Sequence, residues 1–421
     1  MSAKSNQDAV RASHDFLRRR GEFPAMKRTV NGHPLAYLDG PGGTQVPQSV
    51  IDAVAAYYQS GTANAHGEFV TSRDTDRIVQ GARNAMAALL NAESGNNIAF
   101  GANMTSLNFS LGKAIGRYLQ PGDEILITQL DHEANRGPWL NLRGNNIRIR
   151  EITLKPDGRL DYEDMERKIN EKTRLLAIGW ASNALGTVND IRMARALTHR
   201  VGAWLLVDAV HYVPHFSVDV QSHDVDFLLC STYKFYGPHV GLLYARTGIL
   251  DQLPTDRLRT QDQRAPYCIE TGTLNFAALA GVQAAVEYIA SHGIGEGLRN
   301  RVVEGMQRIR DHEHRLAERL WLGLEKIPGL KFYGPPMQDS LRTPTLSFTL
   351  EGMTPSEVCS RLGHKGFCLW GGHFYAVRPI EVLGLSHRGG LVRVGVSLYN
   401  TEEEIERLAA ELRGLVAGAS R

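Results

Sequence analysis

The sequence predicts an α/β protein with a large domain built on a mostly parallel sheet and a smaller α+β domain after it. Three observations carry this expectation. Short apolar runs recur between Asn97 and Arg246 without polar alternation, as strands covered on both faces require. Helical patterns separate them, which implies crossover connections and parallel pairing. Beyond about residue 295 the pattern changes to short strands and helices in mixed order.

The elements follow in sequence. "NIAF" leads to the helical "TSLNFSLGKAIGRYL", "EILIT" to "HEANRGPWLNL", "IRIREITL" to "YEDMERKI", "LLAIGWAS" to "IRMARALTHR", and "WLLVDAV" to "VDFLLCST". After "GLLYAR", one long helical block is expected from near Asn275 to about Pro328. The tail then reads "KFYG", "TPTLSFTL", "TPSEVCSRLGHKG", "FCLWGG", "LVRVGVSLYN" and "TEEEIERLAAELRGLV". Thr401 is the expected N-cap of the last helix, with three glutamates in its first turn. The expected division is an N-terminal arm over 1–35, a large domain over 36–294 and a small domain over 295–421.

A chain of 421 residues exceeds the size at which a single core stops growing. With 47 basic and 45 acidic residues the net charge is +2, which gives no electrostatic case for a nucleic-acid or bilayer partner. Small soluble ligands are favoured instead. Cys230, Cys268, Cys359 and Cys368 form no CxxC pair, arguing against structural zinc and a secreted disulfide framework and for the cytoplasm. The opening "MSAKSNQDAVRASHDFLRRRG" lacks an apolar signal core and reads as a surface helix. No apolar run approaches the roughly 20 residues of a membrane span.

In open α/β sheets ligands sit beyond the carboxyl ends of the strands. Thr105, His132, Asp208 and Lys234 all fall at such ends. A buried lysine tends to lose its proton, the state needed to form a Schiff base. An aspartate on a neighbouring strand suits a pyridine nitrogen, and the helix opening at Thr105 suits a phosphate. His132 suits stacking on a flat ring. Singly, each has a plainer reading: a lysine reaching solvent, an aspartate or threonine capping a turn, a histidine satisfied in the core.

The segments "LDHEANRGPW", "ASNALGTVNDI", "LLVDAVHYVPHFSVDVQSHDVDFLLCSTYKFYGPHVGLLYAR", "ETGTLNFAAL" and "RVGVSLYNTEEEI" change the balance. Together they resemble fold-type I pyridoxal-phosphate enzymes of aminotransferase class V, in the cysteine-desulfurase-like branch, over about residues 36 to 415. The resemblance implies pyridoxal 5'-phosphate as cofactor and Lys234, His132 and Asp208 as catalytic residues. Lys234 would be the Schiff-base lysine and proton shuttle, Asp208 would pair with the pyridine nitrogen, and His132 would stack on the ring. Asn183 and His211 would flank the ring hydroxyl, His211 standing where desulfurases usually carry glutamine. Thr105, Ser231 and Tyr233 would hold the phosphate, and Thr273 would reach the phosphate of the other subunit in a homodimer. Arg393 would clamp the α-carboxylate of a small amino acid, with His373 and Tyr375 on the substrate side.

Two departures matter. Cysteine desulfurases carry a persulfide-forming cysteine in a mobile loop, but here that stretch is "WGGHFYAVRP", with Tyr375 at the position. A phenol cannot hold a persulfide. Cys368 and Cys230 lie in strand-like runs where inert thiols are expected. The second departure is "YLDGPGGTQVP", where desulfurases usually read Asn-Ala-Ala; Gly40, Gly42 and Gly43 predict extra room beside the substrate pocket.

The implied function is carbon-sulfur lyase chemistry by β-elimination on a cysteine-like amino acid, without persulfide transfer. The alternatives are decarboxylative carbon-carbon chemistry on an acidic amino acid, transamination, epimerisation, or a non-catalytic scaffold. No HExxH spacing or GxGxxG turn occurs, so neither a catalytic metal nor a dinucleotide is expected.

Overall fold

The computed structural model describes residues 18–338 and 341–419, so the surface helix expected at the N-terminus lies almost wholly outside the described residues. Seven strands form the main sheet: β1 (Ile98–Gly101), β2 (Glu124–Thr128), β3 (Arg148–Ile152), β4 (Thr173–Gly179), β5 (Trp204–Asp208), β6 (Phe227–Ser231) and β7 (Gly241–Ala245). Their order is β1-β7-β6-β5-β4-β2-β3. Strands β2 to β6 pair in parallel, while β7 runs antiparallel to both β1 and β6. The link from β6 to β7 is too short for a crossover, so the chain must return antiparallel.

Alternate residues feed opposite faces. Helix α1 (Gln48–Ser60) packs on the later helix Phe276–Ala290; Leu205, Val207 and Leu228 join a core with α2 (Val70–Leu90), and Leu206, Phe227 and Leu229 join a second core under α3 (Met104–Tyr118). β3 is an edge strand rather than a doubly covered one. Its Arg148 and Arg150 reach Glu124 at 3.2 and 3.1 Å, charges that blunt an open edge.

Two expected helices differ. "HEANRGPWLNL" folds as short successive turns, because Pro138 supplies no N–H and obstructs the preceding turn. The block after Asn275 divides into α6 (Phe276–Ala290) and α7 (Gly297–Leu324), counting α4 (Tyr162–Lys168) and α5 (Ile191–His199) before them. At the break a Cβ on Gly293 would lie 2.1 Å from the Arg301 carbonyl, so glycine permits the tight approach.

Helix α7 joins two cores. Val302, Met306 and Ile309 pack into the large one, and Leu316, Leu320 and Leu324 into a third built on a four-stranded antiparallel sheet. That sheet has the order β8 (Leu330–Tyr333), β9 (Thr345–Leu350), β11 (Leu391–Gly395), β10 (Trp370–Gly372). "FCLWGG" supplies two short strands, since Phe367–Cys368 pairs with Ala36–Tyr37 and only Trp370–Gly372 joins the sheet. Thr401 does cap the last helix: its hydroxyl accepts the Glu404 N–H at 3.3 Å, and the Glu404 carboxylate accepts the Thr401 N–H at 3.2 Å.

A buried pair fixes the segment leading to Thr273. Arg83 Nη2 meets Glu270 Oε2 at 2.7 Å, and Glu270 Oε1 accepts the Phe100 N–H at 2.7 Å. Removing one partner leaves a buried charge, so Glu270→Ala is expected to cost about 3–5 kcal/mol, read from the urea midpoint.

Candidate active site

The carboxyl ends of β2, β4, β5 and β6 and the start of α3 open onto one cleft of about 670 Å³. Thr105, His132, Asn183, Asp208, His211 and Lys234 all line it, with Ser231 and Tyr233 beside them. The topology therefore gathers eight of the expected site residues. Arg393, His373, Tyr375 and Thr273 stand outside that lining.

Lys234 closes a single turn after β6, Thr232–Lys234. The turn is tied down by the Thr232 N–H to the Val240 carbonyl at 2.9 Å and by the Thr232 hydroxyl to the Pro238 carbonyl. The lysine amine donates to the Pro41 carbonyl. Burial, with Arg393 adding to it, draws its pKa down to about 7. Asp208 ends β5, and its Oδ1 accepts the Val210 N–H at 3.0 Å. Burial pushes its pKa up to about 6, against that hydrogen bond and the pull of Lys234. The cleft thus holds a weakly basic amine and a weakly acidic carboxyl.

His132 caps its own turn, its Nδ1 accepting the Ala134 N–H at 3.0 Å. Burial and the charges of Lys234 and Arg393 bring it down to about 4, so the ring is neutral near pH 7. Asp131 was not singled out from the sequence, although it immediately precedes His132. Its Oδ1 accepts the Gly179 N–H of β4 at 2.6 Å, joining the histidine turn to the next strand end. Burial raises it to about 7, and Asp208 adds to the rise.

His211 is buried, with Nε2 2.9 Å from the Thr345 hydroxyl and 3.2 Å from that of Thr343. Burial, then His215, Lys234 and Arg393, hold it well below its ordinary pKa. His215 turns away from the cleft to Glu313 of α7 at 2.7 Å. No group of three or more candidate metal ligands occurs among the described residues.

The loop carrying Tyr375 is pinned at both sides of the cleft. The Asn183 amide donates to the Phe374 carbonyl at 2.9 Å, and the Glu133 N–H donates to the Tyr375 carbonyl at 2.8 Å. Phe374 and Tyr375 both lie in the left-handed region, at φ 55° and 57°, which non-glycine residues seldom adopt. The result buries Phe374 and leaves Tyr375 61% exposed, its ring centroid 5.9 Å from that of His132. His373 is exposed and accepts the Tyr375 N–H at 3.1 Å.

Arg393, on β11, is not a free fork. It pairs with Asp39 at 2.6 Å. The room expected from Gly40, Gly42 and Gly43 is taken: a Cβ on Gly42 would lie 2.2 Å from Asp39 Oδ2, and one on Gly43 3.1 Å from the Tyr233 ring.

At the start of α3, Asn103 is the cap, its Oδ1 accepting the Ser106 N–H at 2.9 Å, so Thr105 stands in the first turn rather than at the cap. The Ser231 hydroxyl accepts the Met104 N–H at 3.0 Å, and Tyr233 stacks on His239 at 4.5 Å. Thr273 is exposed in a separate depression, shared with His239 and Asn275. No cysteine lines the cleft among the described residues. Burial raises the thiols of Cys230, Cys268 and Cys368, and that of Cys359 to about 12.

Comparison with known proteins agrees with this geometry. Residues 36–408 match the family model for aminotransferase class-V. A cysteine desulfurase of Serratia proteamaculans is 34% identical over 419 residues, covering 95% of this chain and 98% of that protein. A cysteine desulfurase of Escherichia coli O157:H7 is 33% identical over 410 residues, covering 94% and 96%. Among solved structures, the apo cysteine desulfurase of Thermococcus onnurineus superposes with a TM-score of 0.84 at 26% identity, covering 94% of this chain and 98% of that one. A cysteine desulfurase of Escherichia coli gives 0.83 at 25%, covering 96% and 98%. With a lysine, an aspartate and a histidine from strand ends lining one cleft, these matches show that the chain belongs to the aminotransferase class V family of pyridoxal 5'-phosphate enzymes, cysteine-desulfurase-like in sequence and fold.

Proposed function

We propose that the protein is a carbon-sulfur lyase that eliminates sulfide from a cysteine-like amino acid without passing it through a protein persulfide. The observation that carries this reading is the cleft's lack of any thiol among the described residues, with Tyr375 in the loop at its mouth. The residues present suit the cofactor: a buried amine drawn toward neutrality, a carboxyl across the cleft and a neutral imidazole ring between strand ends. When bound, pyridoxal phosphate supplies an electron sink for the pair released at the substrate Cα.

In this reading Lys234 Nζ removes the Cα proton, and that pair expels sulfide as the Cβ–S bond breaks. Asp208 holds a proton at the pyridine nitrogen, and His132 covers the ring. Asn183 and His211 flank the ring hydroxyl, and Thr105, Ser231 and Tyr233 receive the phosphate. Arg393 takes the α-carboxylate, with His373 and Tyr375 at the entrance. The balance is cysteine plus water giving pyruvate, ammonia and hydrogen sulfide. Thr273, exposed away from its own cleft, supports a homodimer in which it faces the phosphate of a second copy. The division into 36–294 and 295–421 belongs to the same reading. Four free cysteines support a reducing compartment, the cytoplasm. No helix among the described residues is long and apolar enough to cross a membrane.

The test is sulfide release from cysteine compared with carbon dioxide release from aspartate. Sulfide alone is expected; carbon dioxide alone would replace the reading with decarboxylative chemistry. Replacing Cys230, Cys268, Cys359 and Cys368 together by alanine is expected to leave kcat within about threefold, because none acts as the sulfur acceptor. A loss of about a hundredfold in a folded variant would contradict it.

A further inference from the structure

Arg393 is engaged before any substrate arrives. Its Nη2 donates to Asp39 Oδ1 at 2.6 Å and its Nη1 to the Asn183 carbonyl at 3.2 Å. The Phe374 ring centroid lies 4.4 Å from the guanidinium carbon. The two charged side chains are only 3% and 10% exposed. The Arg393 Nε has no hydrogen-bond partner among the described residues.

Asp39 reaches this position through the glycine loop. The chain leaves the short strand Ala36–Tyr37, bridges in parallel from Asp39 to Gly395 and turns back through Gly42, whose N–H donates to the Asp39 carbonyl at 2.9 Å. A Cβ on Gly395 would lie 2.0 Å from Pro41, and one on Gly42 would strike the Asp39 carboxylate. Glycine at both positions lets an acidic side chain lie against β11. The same loop presents the Pro41 carbonyl to Lys234. It therefore occupies both cationic groups that an amino-acid substrate would be expected to meet.

We propose that Asp39 is a specificity-determining residue, a built-in carboxylate that competes with the substrate's α-carboxylate for Arg393. This rests on the reading of Arg393 as the carboxylate clamp. A free buried guanidinium favours a carboxylate strongly over a neutral carboxamide, because hydrogen bonds between two charged groups are about twice as strong as neutral ones. With Asp39 in place the pair is neutral, and the advantage shrinks. The glycine loop thus sets how far the site depends on an anionic substituent at Cα.

Asp39→Asn keeps the shape and an acceptor for Nη2 while removing the charge. In the holoenzyme it is expected to lower KM for cysteine about tenfold with kcat changed less than about threefold. It should also tighten binding of propionate, a carboxylate without an amine, by a similar factor in calorimetry. If Asp39 merely positions Arg393, the same substitution raises KM and weakens propionate, and either result in a folded variant overturns the proposal. Should the variant fail to fold, the wild-type holoenzyme decides: KM values for cysteine and cysteinamide within about tenfold support competition, and a preference for cysteine above about a hundredfold overturns it. Arg393→Gln in the Asp39→Asn background separates the two readings. An unchanged KM for cysteine relative to Asp39→Asn alone would remove the clamp itself. A raised KM without tightening by Asp39→Asn would remove only the competition.

Discussion

Lys234→Ala is expected to lower turnover by at least about a thousandfold and to abolish covalent trapping of cofactor by borohydride, which in the wild type should mark the peptide carrying Lys234. The magnitude follows from losing both the Schiff-base amine and the group that moves the Cα proton, since a positioned acid-base group alone contributes about 10²–10⁴-fold. A purely structural lysine would leave the trapped adduct in place. A second readout comes from stability. The amine is drawn from 10.5 to about 7 in the folded protein, with burial the main cause. Between those values the unfolded chain holds a proton that the folded one lacks, so this group makes cofactor-free protein more stable as pH rises from about 7 to about 10.5. Lys234→Met should therefore stabilise the cofactor-free protein at pH 7 by on the order of a few kcal/mol, an advantage that fades toward pH 10.5. Loss of activity with gain of stability separates a functional lysine from a misfolded variant.

Asp208→Asn is the second large effect, expected to reduce turnover about a hundredfold or more while the cofactor still binds covalently. An amide cannot hold a proton on the pyridine nitrogen, so the electron sink weakens and the Cα proton becomes harder to remove. The linkage has the opposite sign to that of the lysine. Folding raises Asp208 from 3.8 to about 6, so its contribution to the stability of cofactor-free protein falls as pH rises through that window and stays unfavourable above it. Asp208→Asn should then raise the cofactor-free Tm at pH 7 but not at pH 3.5. Asp208 also holds Lys234 upward, so the substitution should move the lysine further down and shift the acid limb of the activity profile to lower pH.

The parts legible in the sequence are those governed by local pattern. Uninterrupted apolar runs located the sheet, and the rule that ligands sit beyond carboxyl ends gathered Thr105, His132, Asp208 and Lys234 before any contact was known. The parts that were not legible depend on partners far apart in the chain. Asp39 and Arg393 are 354 positions apart, and only the folded glycine loop reveals that the expected room holds a carboxylate. His215 and Glu313 are 98 apart, so no local spacing shows that this histidine is held by a buried hydrogen bond. Asp131 gains its role from a backbone N–H on β4, a partner that no side-chain pattern announces. The interruption between α6 and α7 lay in "SHGIGE", where glycine marked a turn that helical periodicity on either side concealed.

Elimination and persulfide transfer differ in the fate of the carbon skeleton. Transfer of sulfur to a protein thiol leaves alanine, whereas elimination followed by hydrolysis leaves pyruvate and ammonia. The decisive measurement is the product ratio from cysteine and purified holoenzyme, with sulfide, pyruvate and alanine quantified together. Pyruvate equal to sulfide, with no alanine, is the expected result. Alanine equal to the sulfur released would contradict elimination and require a thiol acceptor that the cleft does not present.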